Sequence, residues 1–200
     1  MKFLAIDTSG KKLLVLAVNG EKEAVRDLDC AMRHSVVLLP EIDSALGEVG
    51  LTPRECDFFA CVVGPGSFTG IRIGISAVKG LCVATDRPAL SITSFEAIAY
   101  ADRSGKKLAL VDAGHDFYYA CAFDGDELAV PPAYVARERV EALIAEGFQP
   151  LSAEPLAVGS RVVPLAEGLK RAALTKRGKA ESQKELAALY LRKSSAEEKR

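Results

Sequence analysis

The chain has no tryptophan, only two histidines and two methionines in 200 residues, and an aromatic content of 6%. With His34 and His115 alone, a two-histidine metal site requires two distant turns to meet, so no metal site and no cofactor are expected. Neither sign of charge is in excess: 26 Lys and Arg stand against 27 Asp and Glu, for a net charge of -1. That balance excludes a broad electrostatic footprint for nucleic acid, so RNA has to be met locally or through another protein. The five cysteines, Cys30, Cys56, Cys61, Cys82 and Cys121, form no CxxC pair and mostly lie inside apolar runs. They read as reduced core thiols of a cytoplasmic protein. The N-terminal MKFLAIDTSGKK is too short an apolar run for a signal peptide, and no segment is expected to span a membrane.

What is present is the composition of a globular protein, 49% hydrophobic and 26% charged, enough for one sizeable core or two small ones. The two halves repeat each other. FLAIDTSGKKLLVLAVNGEKEAV from Phe3 to Val25 aligns without a gap on LALVDAGHDFYYACAFDGDELAV from Leu108 to Val130, placing Asp7 on Asp112, Gly20 on Gly125 and Val25 on Val130. Each copy reads as a strand ending in Asp, a polar turn, a second strand, an Asn-Gly or Asp-Gly hairpin and a third strand. Two β-meanders opening two lobes, 1–101 and 106–200, follow from a duplication.

After the first meander the period becomes helical. Ser35 can cap a helix to Val49, with Leu38, Leu39, Ile42, Ala45, Leu46 and Val49 on one face, Pro40 near its start and Gly50 as its stop. A strand over 58–63, a helix over 70–85, a strand over 89–92 and a helix over 94–101 complete the first half before the polar linker 102–105. The second half repeats the order more sketchily, with helices over 135–146 and 162–173 and a strand over 156–158. A run of five basic residues without an acid between Lys170 and Lys179 reads as solvated surface, and the end of the chain as a helix followed by a charged tail. The order βββαβαβα, given twice and reduced in the second lobe, predicts an α/β fold of mixed sheets covered by helices, with a cleft between the lobes. It resembles the actin, sugar kinase and Hsp70 (ASKHA, ribonuclease H-like) superfamily. That resemblance implies nucleotide phosphates at the first turns, where Asp7, Thr8, Ser9 and Asp112 stand; capping of the turns by each Asp is the competing reading.

The stretch CVVGPGSFTGIRIG, Cys61 to Gly74, is not a phosphate loop. It lacks the Lys of GxxxxGK[ST], and its glycines read GxGxxxG rather than GxGxxG. It reads as a helix entry capped by Ser67 or Thr69 beside an exposed Phe68. Beyond it, Ile71, Ile75, Val78 and Cys82 make an apolar stripe, and Gly70, Gly74, Ala77, Leu81 and Ala84 a second one of mostly small residues. A helix apolar on two faces is either buried twice or meets a partner.

GPGSFTGIRIG, with HSVVLLPEID upstream and DTS near the N-terminus, resembles the bacterial TsaB family, also called YeaZ. The resemblance implies a non-catalytic, two-lobed subunit that binds its catalytic paralogue TsaD. Together with the ATPase TsaE, that complex forms N6-threonylcarbamoyladenosine (t6A) at position 37 of tRNAs reading ANN codons. It also implies a partner interface at His34, Leu38, Leu39, Ile42, Gly66, Ser67, Phe68, Thr69, Gly70, Arg72, Ile73, Gly74 and Ala77. Self-association through the same helices is expected when TsaD is absent, with tRNA met only through the complex and no membrane involved. The catalytic paralogue carries HxxxH at the first helix; here the stretch is His34-Ser35-Val36-Val37-Leu38, one ligand short. The alternative is a small phosphotransferase or nucleotide-binding protein of the same superfamily.

Overall fold

A computed structural model describes residues 1–30 and 33–192; the charged end of the chain expected beyond Arg192 lies outside the described residues. The first half runs β1 (Lys2–Asp7), β2 (Lys12–Asn19), β3 (Lys22–Asp29), α1 (His34–Glu48), β4 (Phe58–Val62), α2 (Phe68–Thr85), β5 (Ala89–Ile92) and α3 (Ser94–Ala99). The second runs β6 (Lys106–Gly114), β7 (Phe117–Asp124), β8 (Glu127–Ala136), α4 (Arg137–Ala145), β9 (Gln149–Ser152), β10 (Arg161–Val162) and α5 (Leu165–Lys176). Among the described residues these form two five-stranded sheets, ordered β3-β2-β1-β4-β5 and β10-β9-β6-β7-β8. Each has an antiparallel meander continued by parallel strands. β1 lies between β2 and β4 with both its faces covered, which is why Phe3 to Asp7 reads as an unbroken buried run rather than an alternation.

Three apolar clusters define the layers. Leu38, Ile42, Ala45 and Leu46 of α1 and Val78 and Cys82 of α2 cover the outer face of the first sheet. Val140 and Leu143 of α4 cover the outer face of the second. Between the sheets, α3 and α5 share one core with residues of both, among them Phe3, Phe58, Phe95, Ala109, Cys121 and Leu169. α5 meets α3 without a spacer: a Cβ at Gly168 would collide with the Ala97 carbonyl oxygen. The joint between the halves is tied as well, since Arg171 donates to the Tyr100 and Asp102 carbonyls at 3.3 and 3.1 Å and Arg161 pairs with Asp102.

The duplication is visible but not register-perfect. The sequence offset that places Leu4–Ala17 of the first hairpin on Ala109–Ala122 meets instead the observed pair Leu108–Ala122, a one-residue slip absorbed by the irregularity between Asp112 and Gly114. Several expected elements also move. α1 starts at His34 without a side-chain cap from Ser35 and runs through Pro40. The strand expected over 156–158 is replaced by β9 and β10 on either side of it, and α4 and α5 begin two to three residues late. The terminal helix is absent from 180–192: a single 3-10 turn, Gln183–Glu185, sits in an otherwise irregular segment that crosses back over the first lobe. α2, 18 residues long, is apolar enough by length and composition alone to cross a membrane. Its face Gly70, Ile71, Gly74, Val78, Cys82 is nevertheless buried against the protein's own core.

Candidate functional site

The two first turns face each other across a cavity of about 350 Å³, lined by Asp7, Ser9, Gly66, Ser67, Ser94, Asp112 and Glu154 and floored by Ile98, Leu110 and Leu165. Each carboxylate caps its own turn: Asp7 accepts from the Ser9 N–H at 2.7 Å, and Asp112 from the Gly114 N–H at 2.9 Å. The Ser94 hydroxyl donates to the Pro65 carbonyl at 2.7 Å. Thr8 does not enter the cavity; it is fully buried, and its hydroxyl donates to the Gly70 carbonyl at 2.7 Å, tying the first turn to α2. Lys11, the one cation among the described lining residues, is held by Glu154 at 2.6 Å across the cavity mouth. A cavity with three carboxylates and one already paired lysine offers little to a phosphate.

Burial pushes the Asp7 carboxyl above its ordinary value of 3.8, against the opposing pull of the Ser9 hydrogen bonds and the charge of His34. Protonation therefore favours the folded state; this contribution is fully present below the unfolded value and is lost as pH rises through the folded one. Asp7→Asn, which keeps an acceptor for Ser9, is expected to raise the thermal midpoint at pH 7. The gain should shrink as pH falls below the ordinary carboxylate range, and a thermal-melt series over pH checks both.

The HxxxH position does not hold a metal's donors. His34 is buried with its Nε2 lacking a hydrogen-bond partner among the described residues, and Leu38, in the second place, is core. No group of three His, Cys, Asp or Glu side chains among the described residues is disposed around a common point. Burial pushes the thiols of Cys56 and Cys82 up to about 11, and those of Cys61 and Cys121 up as well, which disfavours the reactive thiolate at these four positions.

The second feature is the outer face of α1 and α2, which lie side by side. Val36 is 68% exposed, Leu39 58% and Val83 71%; Pro40, Thr69, Arg72, Ser76 and Gly80 are exposed around them, with Ile73, Ala77 and Leu81 half-buried. The residues expected at the interface from the resemblance divide by burial. Leu38 and Ile42 point into the core, His34 is enclosed, and Gly70 and Gly74 face inward. A Cβ at Gly74 would lie 2.5 Å from Thr8 Oγ1 and 3.2 Å from Cys61 Sγ, so that glycine admits the protein's own first turn, not another helix. Gly66 likewise packs on Ser9, with its Cβ position 2.5 Å from the Ser9 carbonyl. Ser67 caps α2 by accepting from the Gly70 N–H at 3.2 Å, as expected, and Phe68 is covered by Tyr190, ring centroids 4.2 Å apart. Of the residues expected at the interface, Leu39, Thr69 and Arg72 lie open, and Gly66, Ser67, Phe68, Ile73 and Ala77 lie half-open. Val36, Gly47, Gly80 and Val83, outside the expected set, are exposed on the same two helices. The two glycines sit inside helices, where each costs about 0.5 to 1 kcal/mol against alanine.

Comparisons with known proteins agree with this architecture. The family described as "TsaD: tRNA N6-adenosine threonylcarbamoyltransferase" matches residues 28–195. The chain is 32% identical over 154 residues to the tRNA threonylcarbamoyladenosine biosynthesis protein TsaB of Haemophilus influenzae, covering 74% of this chain and 60% of that protein. It is 29% identical over 170 residues to TsaB of Escherichia coli, covering 80% and 71%. A crystal structure from Pseudomonas aeruginosa of a protein described as similar to peptidase YEAZ superposes with a TM-score of 0.82 at 27% identity, covering 96% of this chain and 99% of that one. YeaZ from the same organism superposes at 0.78 and 25% identity, covering 95% and 99%. With a matched family over most of its length, and a YeaZ structure and that of a YeaZ-like protein covering it nearly end to end, this chain belongs to the TsaB (YeaZ) branch of the TsaD family.

Proposed function

We propose that the protein acts in t6A formation as a non-catalytic subunit, docking a TsaD-type transferase on the outer face of α1 and α2. The observation that carries this reading is a pair of helix glycines that the fold itself does not need. Gly47 of α1 and Gly80 of α2 are exposed with nothing within 4 Å of their Cβ positions, on the two neighbouring helices that also carry exposed Val36, Leu39 and Val83. Two costly glycines inside helices, beside exposed aliphatic side chains, suit a second pair of helices packed at short range. The relatives' names, a tRNA threonylcarbamoyladenosine biosynthesis protein and a tRNA N6-adenosine threonylcarbamoyltransferase, support this choice of pathway and partner. TsaE joins the complex in this reading, which works in the cytoplasm, and the face pairs with a second copy of the chain when the transferase is absent.

Contact with tRNA is indirect in this account, because the basic run is largely spent inside the protein. Lys170 pairs with Glu23, Arg171 with Asp126 at 3.0 Å, and Lys176 with Glu96 at 2.8 Å. The phosphotransferase alternative has no comparable support, given the acidic cavity and the two carboxylates bound to their own turns.

The test is reconstitution. The purified chain should show no threonylcarbamoyl transfer alone, should sediment as a homodimer, and should shift to a heterodimer on addition of its TsaD paralogue. Transfer by the isolated chain, or no association with the paralogue, would overturn the reading.

A further inference from the structure

The irregular segment after α5 is bound along its length to the first lobe. The Glu181 N–H and carbonyl bridge the Ala89 backbone at the edge of the first sheet, each at 2.8 Å. Leu186 is buried in the outer core with α1 and α2. The Leu189 N–H donates to the Val63 carbonyl at 2.8 Å, and the Leu189 carbonyl passes so close to Gly64, itself at φ 111°, that a Cβ there would come within 2.9 Å. Tyr190 then stacks on Phe68, the first residue of α2, with rings 7° from parallel, and accepts at its hydroxyl from Arg72 Nε at 3.1 Å. Leu191 packs on the core between the sheets, and the Arg192 guanidinium lies 5.4 Å from the Tyr134 ring on the second sheet.

We propose that residues 181–192 form a strap that holds the glycine-rich entry to α2 in place, and that by doing so it sets the affinity of the α1–α2 face for its partner. Gly64 and Gly66 have backbone conformations open to few other residues, and the entry is held on its inner side by the first turn and α3: the Ser67 N–H donates to the Ser9 carbonyl at 2.8 Å, the Ser94 N–H to the Gly64 carbonyl at 2.8 Å and the Ser94 hydroxyl to the Pro65 carbonyl at 2.7 Å. The strap adds a backbone hydrogen bond on one side and an aromatic stack on the other, fixing the direction in which α2 leaves the sheet. The partner clause rests on the function proposed above; the strap itself does not.

Amide hydrogen exchange on the full chain separates the two. In Tyr190→Ala, amides of the segment 64–72 should exchange about two- to twelvefold faster, the range expected for loss of one aromatic pair, with β1 and β6 unchanged. Tyr190→Phe, which keeps the ring, should restore wild-type exchange. Unchanged exchange in Tyr190→Ala, or a uniform rise across both sheets, would overturn the strap. Titration with the TsaD paralogue should show affinity falling by a similar factor in Tyr190→Ala and not in Tyr190→Phe. Faster exchange with unaltered affinity would overturn the link to the partner face, whereas failure of the wild-type chain to bind would sink the proposed function and leave the exchange result standing.

Discussion

Gly70→Ala is expected to cost about 3 kcal/mol or more, a large part of the 5 to 15 kcal/mol that holds a domain together. The added Cβ would fall on the Thr8 carbonyl oxygen. That oxygen belongs to the turn between β1 and β2, and the Thr8 hydroxyl is bonded to the Gly70 carbonyl, so neither backbone can retreat without breaking the other's contacts. Gly168→Ala should behave the same way, because its Cβ would fall on the Ala97 carbonyl where α5 crosses α3. A loss of this size lowers the thermal midpoint by about 6 to 12 °C in a chain of this length. Gly47→Ala provides the contrast: with open space around it and a helical backbone, it should raise the midpoint, by the equivalent of about 0.5 to 1 kcal/mol. Thermal unfolding of the three variants is decisive, and a Gly70→Ala protein within about 1 kcal/mol of wild type would show that the close approach of α2 to the first turn is not the constraint described.

The second large effect is on association. Leu39→Asp places a carboxylate where the proposed interface buries an exposed leucine, and an unpaired buried charge costs several kcal/mol; about 2.7 kcal/mol is a hundredfold in affinity. Gly80→Leu acts sterically at the second helix, with about 1 to 3 kcal/mol lost to bulk in a close-packed contact. Neither residue supports the monomer's core, so circular dichroism should be unchanged while sedimentation shows loss of both the homodimer and the pairing with a TsaD paralogue. Wild-type association in both variants would move the partner surface elsewhere. Gly74→Leu, attractive from the helix pattern, cannot serve this purpose: its side chain would be driven into Thr8 and Cys61 and would unfold the first lobe.

Much of the fold was legible because its signals are local. The hairpin glycines Gly20 and Gly125, the turn-capping Asp7 and Asp112, and the Ser67 cap each act through neighbours a few residues away, and each appears where the pattern places it, although β6 runs on past Asp112 to Gly114. The second lobe was harder to read. Its strands β9 and β10 are four and two residues long, and its helix α5 owes its apolar face to the first lobe rather than to its own sheet. The terminal segment was misread as a helix because LAALYL has helical propensity, and tertiary contacts overrode it: the Leu189 N–H finds the Val63 carbonyl and Tyr190 finds Phe68.

The sequence by itself determined the duplicated βββαβαβα order, the missing second histidine of HxxxH and the failure of the glycine-rich stretch as a phosphate loop, since all three depend on which residues occur and at what spacing. Which face of α2 is open was decided only in three dimensions. Helical periodicity shows that Gly70, Gly74 and Gly80 allow close approach but not to what, and the sheet's position assigns the first two to the protein's own first turn and leaves Gly80 to the outside. The state of the cavity was decided in the same way: the carboxylates are visible in the chain, but their capping of the turns, and the closure of Lys11 onto Glu154, arise from backbone amides and side chains that only folding brings within reach.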